Sequence, residues 1–179
     1  MPTNIDREWV ASELEKGLAA ERTLAVEARA RARAEAPPDP TLAVIYNELA
    51  TAEDRHHLIL ETVATRYGHT PTRRAGGGIG ETFGWLRGKV TELGSSPFDR
   101  LTYDLVARAS SVLWYTAWVH AFVAIGDAES ARELAALLTE KEAHCRALQE
   151  GLNRLVERRV QVADAVAPST GVSPAIGTV

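Results

Sequence analysis

Hydrophobic residues recur at steps of three and four along most of this chain, the spacing that keeps one face of an α-helix apolar. Val10, Leu14, Leu18, Ala25 and Ala28 form the first such stripe, with Glu21 in its middle, and predict a long helix over residues 5–36. Pro37, Pro38 and Pro40 end it, and Asp39 followed by Pro40 offers the capping side chain and first-turn proline of a second helix. Leu42, Ile45, Leu49, Ala52, His56, Ile59, Val63 and Tyr67 make that helix's stripe, and Gly68 offers the left-handed residue that closes it.

Residues 68–80 contain Pro71 and three successive glycines and read as a flexible crossover. They lack the Gly-Lys-Ser/Thr ending and the preceding strand that a phosphate loop requires. Phe83, Leu86, Val90 and Leu93 then predict a short helix over 81–93, closed by Gly94. Ser96, Pro97 and Asp99 open a third long helix that runs to about Ile125. Gly126 and Asp127 separate it from a fourth, whose stripe is Leu134, Leu138, Lys141, Cys145, Leu148, Leu152 and Leu155. Residues 163–179 have the small-residue, proline and glycine content of a tail. The expected fold is an all-α, up-down four-helix bundle over residues 1–162, with a long crossover and a short extra helix between the second and third long helices.

Composition narrows the function. A hydrophobic content of 45% over 179 residues fills one core, and a net charge of −4 leaves no basic face for nucleic acid. Cys145 is the only cysteine, so no disulfide forms within the chain, and the cytoplasm is the expected compartment. The first residues lack the basic flank and apolar run of a secretory signal. From Ala109 to Gly126 there is no Asp, Glu, Lys or Arg. That stretch is shorter than the roughly 20 apolar residues of a membrane span, so a helix buried all round by protein is expected instead. Within it, Trp114 and Trp118 lie opposite the Val112 and Thr116 stripe, so Trp114, Tyr115 and Trp118 are expected to face away from the core. They would form a homodimer surface, or pack under the short helix with Phe83 and Trp85.

The stripes also hold polar residues. Glu53 and His56 project from one face, and Glu21 lies as far before the first turn as His56 lies after it, so the three share a layer. Counting from Gly126 places Ser110 and Ser111 of the third helix and His144 of the fourth at that level. Lys141 stands three residues before His144, where a metal site needs a carboxylate, while Glu140 and His144 form an i, i+4 pair that could ligate if that face turned inward. Two readings follow. In one, Glu21, Glu53, His56, Glu140 and His144 hold one or two metals. In the other, Lys141 pairs with Glu21 or Glu53 and supplies the positive charge itself.

On Ala20–Glu21–Arg22, Glu53–Asp54–Arg55–His56, the glycine-rich crossover into Gly84–Trp85–Leu86, and Ile125–Gly126–Asp127, residues 5–160 resemble the ferritin-like superfamily. The layout is nearest to its small bacterial stress-associated members. The resemblance implies a di-iron or di-manganese carboxylate centre for iron oxidation, peroxide removal or oxygen-dependent hydroxylation, with Glu21, Glu53 and His56 matching and His144 matching without its glutamate. The last residues, Ala175 to Val179, resemble the short peptides by which cargo enzymes dock inside encapsulin shells, with Ile176–Val179 as the docking segment.

Overall fold

The computed structural model describes residues 4–35, 39–68 and 96–166. Four α-helices account for them: α1 (Asn4–Glu35), α2 (Pro40–Arg66), α3 (Pro97–Ala124) and α4 (Ala128–Val166), with no strand among the described residues. The expected crossover beyond Gly68, the 81–93 helix with Phe83 and Trp85, and the tail with Ile176–Val179 lie outside the described residues. Helix α4 continues to Val166, past the expected start of the tail at 163, because the first residue that stops a helix there is Pro168.

Side-chain oxygens cap three helix starts. Asp39 Oδ1 accepts from the Leu42 N–H at 3.1 Å, Ser96 Oγ from the Asp99 N–H at 3.1 Å, and Asp127 Oδ1 from the Ser130 N–H at 3.0 Å. Gly68 and Gly126 end α2 and α3 at φ of +88° and +80°, where a side chain would be strained. The Tyr67 hydroxyl, just past α2, donates to Asp127 Oδ2 at 2.7 Å, so α2 and α3 finish at the same end of the bundle. They therefore run parallel, an arrangement that a short turn cannot join.

The α1–α2 and α3–α4 hairpins are each more closely packed than they are against one another. In the first hairpin Ala20, Ala25, Ala28 and Ala32 of α1 and Ala43, Ala50, Ala52 and Ala64 of α2 are all buried. Larger side chains fill the space between hairpins. At one end Val10, Leu14, Leu60, Trp118, Phe122 and Leu134 form an apolar cluster, and at the other Leu42, Tyr46, Leu49, Leu101 and Leu148 form a second. Between these clusters lies a layer of charged residues.

On α3 the faces are reversed from those expected. Tyr115 and Trp118 are buried in the core and Trp114 is half-buried against it, so they do not form an outward surface. The inward stripe is Leu101, Asp104, Arg108, Ser111, Tyr115, Trp118 and Phe122, at strictly alternating steps of three and four. With no Asp, Glu, Lys or Arg after Arg108 both faces of the helix read as apolar, and the pattern does not distinguish which one packs in the core. The helix is not buried all round either, since Val106, Leu113 and Val123 are exposed. No described helix is long and apolar enough to cross a membrane.

Candidate functional site

The charged layer brings together one or more residues from every helix. From α1 comes Glu21, from α2 Glu53 and His56, from α3 Arg108, and from α4 Lys141, all of them buried. The three residues expected to share a level do so: His56 Nδ1 lies 3.9 Å from Glu21 Oε2, and Glu53 is close enough to feel the charge of Glu21.

Each carboxylate has a cation of the chain's own. Lys141 Nζ lies 2.8 Å from Glu21 Oε1 and donates to Oε2 at 3.0 Å. Arg108 Nε lies 3.0 Å from Glu53 Oε1, and its Nη2 donates to Oε2 at 3.3 Å. Tyr115 completes the first pair by donating its hydroxyl to Glu21 Oε1 at 3.1 Å, while Lys141 Nζ stands 5.0 Å from the centre of the Tyr115 ring. Two carboxylates thus face one ammonium and one guanidinium, and the layer is close to neutral without any added ion.

The orientation of α4 settles which of Lys141 and Glu140 faces the bundle centre. Lys141 faces the bundle centre, and the Glu140 side chain, 40% exposed, points to the rim between α2 and α4. Glu140 is nevertheless engaged there: its Oε2 lies 2.9 Å from His56 Nε2 and is paired with Arg55. His144 stacks on His56 with ring centres 5.9 Å apart. Ser110 and Ser111 turn back onto α3, bonding the carbonyls of Val106 and Arg108 at 3.0 and 2.7 Å, and take no part in the layer.

Burial dominates the proton affinities. It pushes Glu53 up to about 7, against the pull of Arg108 and Lys141. It lowers His56, with the Lys141 charge acting the same way, and holds His144 down at about 4, aided by His56, Lys141 and Arg108. Burial also opposes the charge on Arg108, but Glu53 and Asp104 outweigh it and the guanidinium holds its proton. A neutral His56 therefore carries its proton on Nε2, toward Glu140, and leaves Nδ1 without a hydrogen-bond partner.

Sequence reasoning missed Arg108 and, one turn before it, Asp104. Asp104 Oδ2 accepts from the Tyr46 hydroxyl at 2.6 Å and from Arg31 Nε at 3.0 Å, making a second buried polar group beside the first. The alternating stripe through Leu101, Asp104, Arg108, Ser111 and Tyr115 was the signal that could have found both.

These residues do not fit the two-metal centre that the resemblance implies. Both oxygens of Glu21 and both of Glu53 already face the chain's own cations, and an ammonium and a guanidinium inside the layer repel a third. Among the described residues no three His, Cys, Asp or Glu side chains form a ligand-like group. Compared with known proteins, the chain matches no family model, no curated protein and no solved structure.

Proposed function

We propose that this chain is a non-catalytic helical bundle of ferritin-like layout that acts by association, with a charge-paired layer standing where that layout houses its metals. The observation that carries this reading is Lys141, whose ammonium meets both oxygens of Glu21 at the bundle centre. The parallel run of α2 and α3 supports the layout. The single half-buried Cys145, which is free, suits a reducing compartment such as the cytoplasm.

Elemental analysis tests this. Protein purified from cells supplemented with iron and manganese is expected to carry far less than one metal per chain, and Glu53→Ala is expected to leave that content unchanged. A stoichiometric metal that disappears in Glu53→Ala would overturn the reading. It would restore the alternative, a metal-binding protein with a redox or stress-protective role, which is favoured by one observation: the buried, unpartnered Nδ1 of His56 facing Glu21.

A further inference from the structure

The outer face of α3 differs from those of the other helices. Val106, Ala109, Leu113, Ala117, His120 and Ala124 are exposed along it, and Leu113 is 71% exposed. Over the same length of bundle the exposed faces of α1, α2 and α4 carry Arg22, Asp54, Arg55, Arg132, Glu142 and Arg146, whereas no charge occurs on α3 beyond Arg108, itself buried. Beside Leu113 an open groove of about 520 Å³ runs between α3 and α4, floored by Val106, Ala109 and Cys145 and rimmed by Glu142 and Arg146.

We propose that this face is the interface with a second copy of the same chain, packed antiparallel across a two-fold axis so that Leu113 of each enters the groove of the other. The rim identifies the occupant. Glu142 and Arg146 lie one turn apart, and neither has an ion-pair partner among the described residues. A two-fold axis sets each residue i of one copy against j of the other and j against i. An antiparallel pair of α3–α4 faces therefore puts Glu142 against Arg146 twice, over a centre that holds no Asp, Glu, Lys or Arg to repel its own image. A partner of high charge finds no complement on the central strip.

The strip is one helix wide and about 27 Å long at 1.5 Å per residue. At a helix width of about 10 Å it covers about 270 Å², less than the roughly 800 Å² per partner of a standard interface. The dimer should therefore dissociate measurably across the micromolar range.

The proposal rests on the association reading above, and its test is independent of metal content, so each fails separately. Sedimentation of the full chain over that range is expected to show a monomer–dimer equilibrium. Leu113→Asp should weaken it by about thirtyfold or more, as loss of a central anchor does, with an unchanged melting temperature. Glu142→Arg should weaken it about tenfold, a change of one charge contact felt twice. Glu142→Arg combined with Arg146→Glu should restore it. A wild-type chain that stays monomeric overturns the proposal and leaves the face to residues 69–95 or to a different protein. A dimer indifferent to Leu113→Asp overturns the face, and failure of the double exchange to rescue overturns the antiparallel arrangement.

Discussion

The two hairpins of this bundle bury opposite charges at the same level. From α1 and α2 come Glu21 and Glu53, and from α3 and α4 come Arg108 and Lys141. Pairing across the interface extends outward from this layer, with the sense reversed between Asp104 of α3 and Arg31 of α1. Four pairs of a buried carboxylate with Lys or Arg all cross from one hairpin to the other: Glu21–Lys141, Glu53–Arg108, Glu35–Arg100 at 2.9 Å and Asp104–Arg31 at 3.0 Å. Inside the first hairpin eight of the buried apolar residues are alanine, whereas the buried ion pairs lie between the hairpins. A carboxylate set able to neutralise foreign cations is neutralised here by the partner hairpin.

The sharpest way to break this comparison is Lys141→Met, which leaves Glu21 buried without its cation. A loss of about 3–5 kcal/mol is expected, a fall in melting temperature of roughly 6–20 °C. An unchanged melting temperature would falsify the pairing. Glu21→Leu combined with Lys141→Met should recover most of the loss, because a buried ion pair replaced whole by apolar groups is often neutral.

Arg108→Met should cost less, since burial already holds Glu53 up at about 7 and a freed carboxyl there can keep its proton. The cost should grow above about pH 7, where Glu53 ionises beside Arg108 in the native chain but without that cation must keep its proton, and denaturant unfolding on either side of that pH reads the difference. Equal costs at both would mean that Arg108 contributes packing and not charge.

Gly17 tests the apolar end against the charged middle. A Cβ there would lie 2.4 Å from Trp118 Cη2 and 2.9 Å from Leu60 Cδ2. Alanine in an ordinary helix position gains about 1 kcal/mol over glycine, yet Gly17→Ala is expected to lose about 1–3 kcal/mol by overpacking. A stabilised variant would show that α1 and α3 can part without cost.

A last effect concerns acid. His144 takes up its proton near pH 4 in the folded chain and near 6.5 when unfolded. Between these values the unfolded state binds more protons, so stability should fall as pH drops through that window. Glu53 works in the opposite direction: it takes up its proton near pH 7 when folded and near 4.5 when unfolded, so acid favours its folded form. His144→Gln should therefore flatten the acid-side loss measured by thermal melting. If the slope is unchanged, the stacked histidines do not sense acid.

Much of the bundle was legible because its information is local. Asp39, Ser96 and Asp127 cap the helices that their positions announced, and Gly68 and Gly126 close theirs. Glu21, Glu53, His56 and Lys141 stand on the faces that the three-and-four spacing gave them. Helix α3 was misread for a physical reason. With polar contrast missing after Arg108, rotation about the helix axis changes the apolar pattern little, and a lone arginine looks like a solvated residue until its partner is seen.

By itself the sequence determined where the four described helices begin and where the first three of them end, and that the first hairpin buries two glutamates and a histidine at one level. Only the tertiary structure decided what those glutamates face, because burying a charge depends on the partner that neutralises it, and that partner comes from another hairpin. Arg108 lies 55 residues from Glu53, and Lys141 lies 120 from Glu21. No local spacing connects either pair, and the rotation of α3 and α4 that brings them together was set by the packing of Trp118, Phe122, Leu134 and Leu148 in the assembled core.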